Sequence, residues 1–236
     1  MATLAQDVSR DESFFQKMAI GLAVFIVFGF LQFAARGFVN YTQVPLAIHV
    51  HAVAMVGWLT VLVTQATLVQ RNNLAVHRKL GWIAAALVIA IVAFGSNAAI
   101  TAIRMHISPP FFTPPYFLAL THVGLLAFAF TVAYAISRRR ETDWHRRLML
   151  GATVLLMEPA LGRLLPMPLL GGWGEWIALV FQLGAVGIIA RHDGRTLGRI
   201  HPATIASALI VTLTHVLVSL TAMTPPVIAA AARLTA

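Results

Sequence analysis

The chain has 236 residues, 59% of them hydrophobic and only 11% charged, with a formal net charge of +9. A soluble domain is about 25% charged, so this composition excludes a water-soluble enzyme and makes the positive charge a topology signal first. Cysteine is absent, which excludes a thiolate nucleophile, an iron–sulfur cluster, cysteine-ligated zinc and covalently attached c-type haem within this chain.

Apolar runs bounded by charge, proline or glycine predict helices over 15–35, 44–70, 77–103, 115–137, 145–165, 173–190 and 202–223. Each run can cross a hydrocarbon core of about 30 Å at about 1.5 Å per residue. The expected fold is an all-α polytopic membrane protein: one transmembrane domain over 1–236 with seven spans and a four-helix core over about 44–165. The first run is no signal peptide, because a polar leader with Asp7, Asp11 and Glu12 precedes it and Phe33-Ala34-Ala35 is a poor cleavage site. Short loops at 71–76 and 141–144 make the second and third helices, and the fourth and fifth, antiparallel hairpins. Both hairpins restart with similar words, His77-Arg78-Lys79-Leu80 and His145-Arg146-Arg147-Leu148, a weak internal repeat. The Pro- and Phe-rich segment 108–116 reads as an aromatic interfacial anchor or a stiff lid.

Thirteen basic residues fall on one side of these spans: Arg10, Lys17, Arg71, Arg78, Lys79, Arg138, Arg139, Arg140, Arg146, Arg147, Arg191, Arg195 and Arg199. Only Arg36, Arg104, Arg163 and Arg233 fall on the other. The positive-inside rule puts the richer side in the cytoplasm, the N-terminus inside and the C-terminus outside. The expected location is a bacterial-type cytoplasmic membrane. The basic loops anchor helix ends at anionic headgroups; they are too short to form a nucleic-acid surface, and no nucleic-acid partner is expected.

Ionisable groups inside a span are costly and are functional candidates by default. Counting about 1.5 Å per residue from the helix ends, His49, His51, His122, Glu158 and His215 all lie roughly 8–12 Å below the outer boundary, with Asn97 nearby. Glu158 reads as the only acidic residue deep in a span, either protonated or paired with Arg163. His49 and His51 point to nearly opposite sides of their helix. In the inner half Gln65 stands apart, while His77 and His145 lie at helix ends beside arginines, as interfacial residues or as ligands.

The stretch from His51 to Arg71, HAVAMVGWLTVLVTQATLVQR, resembles the second core helix of the cytochrome b-561 family, with His51, Met55, Gly57, Ala66, Leu68, Val69 and Arg71 at the family's spacing. His77-Arg78-Lys79-Leu80-Gly81 is similar to the His-x-x-Leu-Gly word of the same superfamily. A second resemblance is to uncharacterised bacterial membrane proteins whose hairpins restart with His-Arg-x-Leu. The first implies two b-type haems in the four-helix core. His51 and His122 would ligate the outer one, His77 and His145 the inner, and the implied activity is electron transfer with a small-molecule or redox-protein partner. Arg104 and Arg163, near the outer surface, suit haem propionates.

Two other classes stay open. A non-haem enzyme would hold zinc, iron or copper with His51, His122, His215, Glu158 and His49. A transporter or assembly factor would use the polar layer as a path, although no broken-helix pair is evident. A retinal protein is excluded, because Lys17 and Lys79, the only lysines, both lie near helix ends.

Overall fold

Apolar runs that must satisfy every backbone group internally become helices, and helix dominates the computed structural model, which describes the backbone of residues 2–236 and the side chains of residues 11–236. The side chains of Asp7 and Arg10 therefore lie outside the described residues. Ten α-helices follow in order: α1 Ala2–Ala35, α2 Leu46–Gln70, α3 Leu74–Arg104, α4 Pro114–Ser137, α5 Thr142–Leu155, α6 Glu158–Leu164, α7 Met167–Leu170, α8 Gly174–Leu197, α9 Pro202–Ala222 and α10 Pro225–Thr235. No strand occurs among the described residues.

Six helices are long and apolar enough to cross a membrane: Asp11–Ala35 within α1, then α2, α3, α4, the Met167–Leu197 segment that contains α8, and α9. Together they define a multi-pass membrane protein. The run expected as one helix over 145–165 is instead broken at Leu156–Met157 into α5 and α6. Pro159 explains the break, since it lacks the N–H that would bond Leu155 and its ring would collide with that carbonyl; it sits in the first turn of α6, where neither matters. The last helix, α10, was not expected. It folds back onto α4 and α3.

Caps set several boundaries. The Asn73 side chain accepts a hydrogen bond from the Val76 N–H at 3.3 Å and starts α3, after Asn72 has turned the chain at φ +55°. His201 starts α9 by accepting the Ala203 N–H at 3.1 Å.

In the bundle α2 packs on α3, α3 on α4 and α4 on α5, while α1 closes against α2 and α6, and α9 lies against α4, α5 and α8. Its core is apolar, with Trp58, Ile91, Phe128, Val154, Leu161, Ile189 and Val211 essentially fully buried. Gly151 lets α5 meet α9 closely: a Cβ there would fall 2.7 Å from the Ser207 Cβ. At the basic end the bundle is locked by a fully buried ion pair. Asp193 on α8 accepts from Arg147 Nε at 2.9 Å and Nη2 at 2.6 Å, from the Thr204 hydroxyl at 2.5 Å and from the His201 N–H at 3.1 Å. Arg146 pairs with Asp11 at 2.5 Å, tying α5 to α1.

Candidate functional site

Helix α2 presents His51, Trp58 and Gln65 at intervals of seven residues, two turns each, so the three share one face. Each marks a layer of the four-helix core.

In the outer layer, His51 lies against α3 at Gly95, where a Cβ would come within 3.0 Å of the His51 Cε1. The same Cβ would also meet Leu125 of α4 at 3.0 Å, so a larger residue there would push on both side chains. The His51 Nδ1 is buried without a hydrogen-bond partner among the described residues, an unusual state for a buried polar atom. One residue further along α3, Ser96 Oγ lies 2.9 Å from the His122 Nε2. His122 also donates from Nδ1 to the Leu118 carbonyl at 2.9 Å, which makes Nε2 the acceptor of the Ser96 hydroxyl. His51 and His122 therefore reach adjacent positions of the helix that lies between theirs.

The middle layer is aromatic and closely packed. Trp58 and Phe128 meet edge to face at 4.8 Å, and the indole N–H donates to the Thr153 hydroxyl at 3.3 Å. This pair stands about halfway along the roughly 20 Å that separates the His51 and Gln65 levels.

The inner layer joins His77 of α3 to His145 of α5. Their rings stand perpendicular with centroids 6.4 Å apart. His145 donates from Nδ1 to the Ala135 carbonyl at 2.8 Å, and His77 Nδ1 faces the Gln65 carbonyl at 3.4 Å. Neither Nε2 has a hydrogen-bond partner among the described residues. A ring that gives Nδ1–H to a carbonyl has its other nitrogen fixed as a lone-pair donor, the arrangement seen in metal-bound histidine. Two imidazoles bound by nitrogen at about 2 Å on opposite sides of one metal ion would have centroids about 6 Å apart. The His77–His145 spacing fits two histidines on one metal ion, as in a bis-histidine haem, and in the other layer the His51 Nδ1 is left without a partner among the described residues.

The remaining candidates separate. His49 turns away from the core to the Tyr41 carbonyl at 3.2 Å, and Asn97 is exposed. Arg104 is exposed in the last turn of α3. Arg163 does not pair with Glu158; its Nη1 donates to the Pro159 carbonyl at 2.7 Å, and its guanidinium lies 4.1 Å from the Phe30 ring centroid of α1. Glu158 accepts from the Gln182 amide at 3.3 Å, and His215 sits between Glu175 at 2.6 Å and Gln182 at 2.9 Å. Tyr116 donates to the other Glu175 oxygen. No three His, Asp or Glu side chains converge as metal ligands among the described residues.

Glu175, Gln182 and Tyr116 were missed from sequence. The first two lie seven residues apart on the apolar first part of α8 and so share a face, a signal that was present. Glu175 stands in the first turn of its helix and is nevertheless buried.

No protein-family model, curated protein or solved structure matches this chain.

Proposed function

We propose that this chain is a transmembrane b-type haem protein that transfers electrons between the two sides of a bacterial-type cytoplasmic membrane. The observation that carries this reading is the His77–His145 pair, perpendicular at 6.4 Å with both Nδ1 atoms directed at backbone carbonyls. In this reading α5 and α6 together complete a seventh crossing, with the N-terminus and the basic loops inside and the C-terminus outside.

His77 and His145 would hold an inner haem through Nε2. His51 and His122 would hold an outer one, His122 exchanging its Ser96 contact for iron. Bound haem would supply reversible one-electron chemistry, and bis-histidine ligation leaves no open iron position for a substrate. The protein's part is orientation and exclusion. The Gln65 and Ala135 carbonyls would hold the inner rings, Gly95 lets His51 approach α3, and buried Trp58 and Phe128 would fill the interval between the layers. Arg104, in the last turn of α3, would meet a propionate at the headgroup level. The electron donor and acceptor are a small molecule or a redox protein at each face.

The test is haem content and optical spectrum of purified H77A, H145A, H51A and H122A proteins. H145A and H77A are expected to lose the same spectral component, and H51A and H122A a different one. Four variants with unchanged haem content would refute the assignment.

A further inference from the structure

A second polar assembly lies apart from the two histidine layers and is used by none of the chemistry above. Five side chains from four helices form one hydrogen-bonded chain: Tyr116 of α4, Glu175 of α8, His215 of α9, Gln182 of α8 and Glu158 of α6. Glu175, His215 and Gln182 are buried. Among the described residues no cation balances the two carboxylates. Arg163 of α6 is turned toward Phe30 of α1, Arg233 of α10 is exposed, and α5 brings Thr153 but no titratable group to this level. Two unbalanced charges in such a place are costly.

The valences of the chain decide where protons sit. In one polarity Gln182 donates its NH₂ to Glu158, so its carbonyl accepts from His215 Nε2–H. The neutral imidazole then has a lone pair on Nδ1, which accepts from a protonated Glu175. In the other polarity the Gln182 amide is turned over and donates to His215 Nε2. His215 then carries its proton on Nδ1 and donates it to ionised Glu175, and Gln182 accepts from a protonated Glu158. Both polarities occupy the same heavy-atom positions, both hold the same number of protons, and each contact along the chain joins one donor to one acceptor. Tyr116 donates to Glu175 in either.

We propose that this chain is a proton-transfer element in which Glu175 and Glu158 share one proton through His215 and Gln182. The step from the first polarity to the second balances: the Glu175 proton passes to His215 Nδ1, the His215 Nε2 proton passes to Glu158 as the Gln182 amide turns over, and no proton is gained or lost. The net result carries one proton from α8 to α6, beside the break between α5 and α6. Glu175, which gives up its proton in this step, would be recharged by a proton donor from solvent on the Tyr116 side, where the Tyr116 ring adjoins Phe112 of the 108–113 loop at 5.2 Å. This element stands whether or not the core binds haem.

The remaining described carboxylates simplify the test: Asp11, Glu141, Asp143 and Asp193 each face an arginine, and Glu12, the other one, is controlled by E12Q. Infrared spectra of the full-length protein at neutral pH should show one protonated carboxyl band that shifts in heavy water. E158Q and E175Q should each retain one such band at a changed frequency, because the proton moves to the surviving partner, and the double variant should lose it. Loss in one single variant with no change in the other would assign the proton to a fixed carboxyl and overturn the proposal, as would two bands or none in the unaltered protein. Should a Gln variant fail to fold, ¹⁵N spectra of histidine-labelled unaltered protein, assigned with H215N, decide it. Averaged Nδ1–H and Nε2–H tautomers at His215 support sharing, and a single tautomer refutes it.

Discussion

Asp193 is the residue whose loss should most damage the fold. It accepts four hydrogen bonds from α5, α9 and the turn between α8 and α9, and its side chain and that of Arg147 are both 0% exposed. Asn at this position keeps the shape and removes the charge, leaving Arg147 with only Asp143, itself half-exposed, as a counterion. Removing one partner of a buried pair costs about 3–5 kcal/mol. At about 2–4 °C per kcal/mol for a chain of this size, D193N should melt about 6–20 °C below the unaltered protein. The assay is thermal unfolding of purified protein in detergent, followed by circular dichroism. An R147M/D193L double variant, which removes both charges and keeps apolar volume, should recover most of the loss, since an ion pair replaced by packed hydrophobics is often neutral. A D193N melting point within about 2 °C of the parent, or a double variant worse than the sum of the singles, would refute the pair as the lock of this end of the bundle.

Other expectations follow the same contacts. G151L should lower stability by about 1–3 kcal/mol in the same melting assay, because any side chain there collides with Ser207, and S207G should restore part of the loss only when the new residue is as small as alanine. W58F should cost about 1–3 kcal/mol, as it removes the Thr153 hydrogen bond and leaves a gap beside Phe128. His201 titrates below its ordinary value of 6.5, held there first by burial and then by the Arg147 charge. Because its folded value is the lower one, its contribution is complete above the unfolded value and is lost as pH falls through it. Melting points should therefore drop between about pH 7.5 and about pH 5, and H201N, which keeps a capping oxygen, should flatten that drop. Equal slopes in the two proteins would refute the role given to His201.

How much of this was legible beforehand depended on the range of the interaction. Span positions follow from local hydropathy, and α2, α3, α4 and α9 fall within a few residues of their expected ends. The break at Leu156–Met157 was not read, although Pro159 was in view, because a continuous apolar run masks a proline whose cost is absorbed at the start of the next helix. Placing His51, His122, His215 and Glu158 at one depth was possible from helix length alone. Depth, however, says nothing about which direction around the bundle each side chain faces. The structure divides that layer into a core half with His51 and His122 and a peripheral half with His215 and Glu158, joined to Glu175 and Gln182. The Arg147–Asp193 lock was likewise invisible, since it spans 46 residues and depends on how α8 packs against α5.

The central claim is that the two histidine layers hold b-type haem. The most direct measurement is a reduced-minus-oxidised optical spectrum of the purified chain, with iron and porphyrin determined on the same sample. A b-type spectrum with porphyrin matching iron, abolished when His77 and His145 are both replaced by alanine and His51 and His122 likewise, is the predicted result. Absence of a Soret band after haem supplementation, or stoichiometric zinc or iron without porphyrin, would contradict it.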